Sequence, residues 1–171
     1  MRFFSANYFS WKTDAPRKRI KGLNNPYYSK VTVLKKAMPM WDRFFSSNIN
    51  KRTRDWDDLD EITDTLRKYY AWAVPDSRAL NILGEFSPLV EIGAGNGYWA
   101  RLLENRGVDI IPFDKYFKPR NTWTTVFYGG PEVLAHSLLS DCNLFLCYPD
   151  EQESIAYECL ENFTGMYFKS K

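Results

Sequence analysis

The sequence predicts an α/β fold: a doubly wound, mostly parallel sheet of about five strands, preceded by helices and a basic arm. Three observations carry this. From Pro88 onward, short apolar runs alternate with segments of helical spacing. The first run, 89–93, leads into the turn Gly93-Ala-Gly-Asn-Gly97. The next run, 109–113, stops at Asp114, 17 residues after Gly97. A strand, a glycine turn, a helix and a strand-end acid in that order form the layout of a nucleoside-binding unit.

The elements follow in order. Residues 1–29 contain Pro16, Gly22 and Pro26 without sustained periodicity, and are read as an extended or disordered arm that orders on a partner. Leu34, Ala37, Met38, Trp41, Phe44 and Phe45 give 30–46 helical spacing, broken or kinked at Pro39. In the next helix Asp57 or Asp58 serves as cap, with Glu61 at the capping-box position. Its apolar stripe is Leu59, Ile62, Leu66, Tyr69 and Ala73, and Pro75 stops it. A short helix over 76–83 ends at Gly84. The sheet region then reads strand 89–93, helix 97–106, strand 109–113, a weak strand 124–127, helix 131–139, strand 143–148, helix 151–163 and a last strand 165–168. Domain organisation follows: 1–54 is an arm and helix, and 55–171 is the sheet domain, led by helices over 55–87.

Size and composition bound the function. A chain of 171 residues is one ordinary domain, and an apolar fraction of 44% is enough for a core. No run of about 18 apolar residues exists, so no membrane-spanning helix is expected. The first ten residues lack the apolar stretch of a secretory signal. Cys142, Cys147 and Cys159 are odd in number and lack metal-type spacing, so reduced thiols of an intracellular protein are expected, and no metal site. The net charge of +2 conceals a split. Residues 1–54 carry a net +11, residues 55–171 a net −9. In the arm, Phe3, Phe4, Tyr8, Phe9 and Trp11 precede Arg17-Lys-Arg19 and Lys21. Cations neutralise phosphates and rings stack on unpaired bases, so RNA or a ribonucleoprotein is the expected partner. Packing on the acidic domain or on a protein partner is the competing reading. A basic, acid-poor start is also the composition of a mitochondrial presequence, which keeps the mitochondrion open beside the cytoplasm.

The glycine spacing narrows the ligand. A dinucleotide turn reads G-x-G-x-x-G, its third glycine packing helix on strand. Counted from Gly93 and Gly95, that position is Tyr98. A phosphate loop needs Gly-Lys-Ser/Thr, which is absent. Pyrophosphate cofactors are therefore disfavoured, a nicotinamide oxidoreductase among them.

Glu91-x-Gly-x-Gly-x-Gly97 followed by a strand-end acid resembles the class I S-adenosylmethionine-dependent methyltransferases, from about Tyr70 onward. More narrowly, Trp72-Ala-Val-Pro75, Glu91–Ala100 and Gly130-Pro-Glu-Val-Leu134 resemble an uncharacterised methyltransferase-like group, which implies no substrate. The resemblance implies a Rossmann-like domain with S-adenosyl-L-methionine as cofactor. Gly93, Ala94, Gly95 and Gly97 would line the cofactor with backbone, and Glu91 would sit near the methionine amino group. Asp114 would accept from both ribose hydroxyls, a role that the two oxygens of a carboxylate suit. Phe113 and Lys115 would cover the adenine side.

Cys147 stands at the end of the fourth strand, where these enzymes present the methyl group, and is counted with the cofactor set. Cys147-Tyr-Pro-Asp150 faintly resembles the Asn/Asp-Pro-Pro-Tyr/Phe loop of amino-group methyltransferases, but the leading amide or carboxylate is missing. No catalytic residue is carried over. Asp150 reads as a helix N-cap before it reads as a base, and Tyr148 divides evenly between stacking on a base and packing. His136 reads as a helix residue. The family sheet has seven strands, whereas this one would be truncated after the fifth at 165–168, leaving an edge open to a protein partner. Two functions follow: a methyltransferase acting on RNA or a ribonucleoprotein component, or an inactive subunit of that fold docked in a large RNA–protein assembly.

Overall fold

The computed structural model describes residues 24–37, 54–149 and 154–164. Among these the fold is α/β, with four strands: β1 (Leu89–Ile92), β2 (Ile110–Asp114), β3 (Phe127–Tyr128) and β4 (Asn143–Leu146). All pairings are parallel, in the order β3-β2-β1-β4. The sheet thus has four strands where about five were expected, and the fifth, at 165–168, lies outside the described residues. The third strand is also shorter and later than 124–127. It pairs only Phe127 with Phe113 and Tyr128 with Asp114.

Helices cover both faces because each strand alternates its side chains between two cores. Leu89, Ile110 and Phe145 pack with Tyr98, Trp99, Leu102 and Leu103 on one face. Val90, Ile92, Ile111 and Phe113 pack with Leu134, Leu139 and Cys159 on the other. Glu91 lies two residues after Leu89 and so faces the first core with it. It is a buried carboxylate in a strand otherwise built of Leu, Val and Ile.

The helices are α1 (Pro26–Ala37), α2 (Arg54–Tyr69), α3 (Ser77–Glu85), α4 (Tyr98–Glu104) and α5 (Ile155–Asn162). α1 corrects the reading of 26–29 as part of an arm without helical structure. Asn25 accepts from the Tyr28 N–H through its side chain and Pro26 occupies the first helical position, an Asn-Pro start signal the periodicity did not weigh. Residues 38–46 of the helix expected there lie outside the described residues. α2 begins at Arg54, so Asp57 and Asp58 lie inside it and do not cap it. Its buried line is Leu59 and Thr63, continued by Tyr70 just past its end, with Leu66 half-buried, whereas Ile62 and Tyr69 are exposed. The buried Thr63 hydroxyl is satisfied by donating to the Asp60 carbonyl.

Residues 131–139 form two 3₁₀ segments, Pro131–Ala135 and Ser137–Leu139, rather than one α-helix. His136 sits at the break with extended backbone, exposed, its Nδ1 accepting from the Leu138 N–H. α5 starts at Ile155, preceded by Ser154, so its start is not the one at which Asp150 would be the cap. Asp150 itself lies outside the described residues.

α3 shows a clean cap: the Asp76 side chain accepts from the Ala79 N–H at 2.7 Å. Asp76→Ala is expected to cost about 1 kcal/mol in urea denaturation without altering ligand binding. A loss under 0.3 kcal/mol would show the cap to be idle. Among the described residues no helix is long and apolar enough to cross a membrane.

Candidate functional site

In an open parallel sheet, ligands bind at the carboxyl edge where the strand order reverses. Here that point lies between β1 and β4, and the two turns that leave them, at Gly93 and Cys147, share one cavity. Its volume is about 980 Å³, at the upper end of the range for small-molecule sites. Its floor is Glu91, Gly93, Ala94, Gly95 and Cys147; Asp114 lines it at the end of β2. One wall is 69–73, the segment after α2, and the other is 116–123. The three pieces are tied together at one carbonyl. The Tyr69 carbonyl oxygen accepts from Asn96 Nδ2 at 2.7 Å and from Trp123 Nε1 at 3.0 Å, while the Trp123 N–H donates to the Asn96 carbonyl.

The turn after β1 uses its glycines for two different purposes. Gly95 has φ +57, and a Cβ placed there would meet nothing within 4 Å. Its bareness serves no packing, and it leaves backbone open to the cavity. Gly97 has φ +77, and a Cβ there would lie 2.8 Å from Val126 Cγ2 and 3.0 Å from Thr124 Cγ2. That glycine lets helix α4 start against the 124–126 segment, the packing that the third glycine of a dinucleotide turn provides elsewhere. Gly97 is buried and does not line the cavity.

The two acids differ in environment. Asp114 accepts from the loop itself, Oδ2 from the Gly95 N–H at 2.8 Å and Oδ1 from the Tyr116 N–H at 2.6 Å. Each oxygen keeps a further acceptor site, as a vicinal diol requires. Glu91 is 2% exposed, and its Oε2 has no hydrogen-bond partner among the described residues. Burial first, then the negative charges of Asp114 and Glu104, push its carboxyl up to about 8. An unpaired buried carboxyl costs free energy, so its presence at the floor of a cavity points to a ligand that satisfies it.

Cys147 is half-buried, and burial, then the neighbouring Glu91, push its thiol up to about 11. It is protonated at neutral pH and is not an activated nucleophile.

Of the residues singled out in the sequence, Glu91, Gly93, Ala94, Gly95, Asp114 and Cys147 meet in one cavity. Phe113 and Gly97 do not line it. The Phe113 side chain packs in the opposite core, and its carbonyl holds the turn by accepting from the Gly93 and Ala94 N–H groups. Lys115 is turned toward Glu132, at 3.1 Å, rather than over the cavity.

Sequence reasoning missed both walls. Tyr69, Tyr70 and Trp123 gave no motif. The clustering of rings and cations in the segments just after α2 and β2 was the available signal, because loops at strand and helix ends carry function. Among the described residues, no group of three His, Cys, Asp or Glu could hold a metal.

Neither a protein-family model, nor a curated protein, nor a solved structure matches this chain. The class defined is therefore that of an α/β protein with a parallel sheet and a ligand-sized cavity at its switch point.

Proposed function

We propose that this chain is an S-adenosyl-L-methionine-dependent methyltransferase of the Rossmann-like type, acting on RNA or on a ribonucleoprotein component. The observation that carries the reading is Glu91 Oε2, buried and unpartnered at the cavity floor beside bare Gly95 backbone. The α-ammonium of the cofactor would satisfy it, as a pyrophosphate would not. Asp114 would hold the ribose diol through the acceptor sites left by Gly95 and Tyr116. Tyr116 and Phe117, which line the cavity just beyond Asp114, would cover the adenine in place of Phe113 and Lys115.

When bound between Glu91, the Gly93–Gly95 backbone and Asp114, the cofactor would supply a methyl group on a positively charged sulfur for direct transfer to an acceptor lone pair, the carbon–sulfur electron pair staying with sulfur. This chain would contribute positioning and exclusion of water by the walls at 69–73 and 116–123, and little covalent help.

Calorimetric titration with S-adenosyl-L-methionine tests the reading. Binding at or below high micromolar concentrations is expected, with Asp114→Ala weakening it at least tenfold. No heat at those concentrations, or unchanged affinity in Asp114→Ala, would remove the cofactor or the ribose role respectively.

A second reading is favoured by Cys147. The strand-end position holds a protonated thiol, and the acids lining the cavity are both taken up by the cofactor roles. The chain would then be a cofactor-binding, catalytically inactive subunit held in an RNA–protein assembly. Transfer of label from methyl-labelled cofactor to any component of that assembly would exclude this second reading.

A further inference from the structure

The cavity has more positive charge around it than its proposed cofactor can use. Among the described residues four cations line it: Arg67 and Lys68 from the end of α2, and Lys118 and Arg120 on the opposite wall. The acids lining it among those residues are Glu91 and Asp114, on the floor and at the end of β2. S-adenosyl-L-methionine carries two positive groups and one carboxylate, so it needs at most one of these cations. Lys68 is paired with Asp64. At least two cations remain that the cofactor does not explain and by charge alone repels it.

Beside them lies an exposed pair of rings. Trp72 and Tyr148 are stacked, centroids 5.8 Å apart and planes within 5° of parallel, yet 58% and 65% exposed. The Arg67 guanidinium lies 5.7 Å from the Trp72 ring. Tyr148 has φ +57, a left-handed conformation uncommon for an aromatic residue, and directly follows Cys147 of the cavity floor. Strained backbone that holds a ring out in water is not explained by packing, and such strain gathers at binding sites.

We propose that Trp72 and Tyr148 form a stacking shelf for an unpaired base of single-stranded RNA, whose phosphates run over Arg67, Lys118 and Arg120. Flat faces accept any base, and cations follow the chain that links the bases. A duplex hides its base faces and cannot use the shelf. A phosphopeptide would use the cations but not the two parallel rings. The shelf names the acceptor class for the methyltransferase reading and rests on that reading for its purpose, not for its binding.

The test uses the full chain and a 12-nucleotide RNA carrying one 2-aminopurine, whose fluorescence falls when its ring stacks. Quenching is expected with single-stranded RNA and not with the matching duplex. Tyr148→Ala is expected to abolish most of the quenching and weaken binding roughly tenfold. Its affinity for S-adenosyl-L-methionine should stay within twofold, because Tyr148 does not line the cavity. Lys118→Ala with Arg120→Ala should flatten the salt dependence by about 1.4 in the log–log slope. Equal quenching by the duplex, full quenching in Tyr148→Ala, or displacement of the RNA by an equimolar phosphopeptide would overturn the proposal. Cofactor binding without quenching sinks the shelf alone, and quenching without cofactor binding sinks the methyltransferase reading alone.

Discussion

Glu91→Gln is expected to make the protein more stable at alkaline pH and to remove most of its affinity for S-adenosyl-L-methionine. The carboxyl of Glu91 titrates near 8 in the folded chain against an ordinary value of 4.5. Unfolding therefore releases a proton at any pH between the two. A folded value raised above the unfolded one gives stability that is complete below about 4.5 and is lost as pH rises toward 8. Glutamine keeps the volume and cannot ionise, so its stability profile should lack that fall. The two proteins should melt together at pH 4.5. By pH 9 the variant should be ahead, by an amount on the order of several kcal/mol. Parallel melting profiles across this range would show that Glu91 is not buried as a neutral acid.

The same substitution removes the charge that an ammonium needs. Breaking a buried charge pair costs about 2–5 kcal/mol, so affinity should fall about thirtyfold or more. A further sign is expected in the unmodified protein. At pH 7 the empty site holds a neutral Glu91, and binding a cation there should expel close to one proton. The heat of titration would then differ between phosphate and Tris buffers, and that difference should vanish in Glu91→Gln.

The second large effect separates two glycines that look alike in the sequence. Gly97→Ala should cost roughly 2–4 kcal/mol, because the added Cβ meets Val126 and Thr124 and the backbone is left-handed. Thermal unfolding should move down by about 5–15 °C. Gly95→Ala faces only the conformational cost, about 1–2 kcal/mol, since nothing lies within reach of its Cβ. That Cβ instead enters the cavity, so Gly95→Ala should lose more cofactor affinity than Gly97→Ala while losing less stability. Thermal unfolding and titration on the same two variants give both numbers. The opposite ranking would mean that the turn is held by packing alone and that no ligand approaches Gly95.

The division between what could be read from the chain and what could not follows from range. Short continuous apolar runs, helical spacing and glycine spacing are local, so β1, α4, β2 and the acid at 114 were legible. The loop could be separated from a dinucleotide turn because Tyr98 stands where a third glycine would. The reason Tyr98 is there was not legible. Its hydroxyl donates to Asn25 and accepts from the Tyr27 N–H, more than 70 residues away, which docks α1 on the domain. Tyr27 stacks on Tyr70, and Tyr70 on Trp123 of the cavity wall. Asn25 and Tyr27, at the start of α1, therefore pack on the body of the domain rather than belonging to a free arm.

The sequence by itself determined a glycine turn between two strands, with one acid inside the first strand and another at the end of the second. Those are nearest-neighbour matters of backbone freedom and short apolar runs. Only the tertiary structure decided what the two acids are. Asp114 is engaged by the loop's own N–H groups, whereas Glu91, on the same face of its strand as Leu89, is buried with its Oε2 unpartnered among the described residues. A carboxyl's charge depends on its burial and on the charges around it. For Glu91 these are its burial and the nearby Asp114 and Glu104, which only the fold brings to one place.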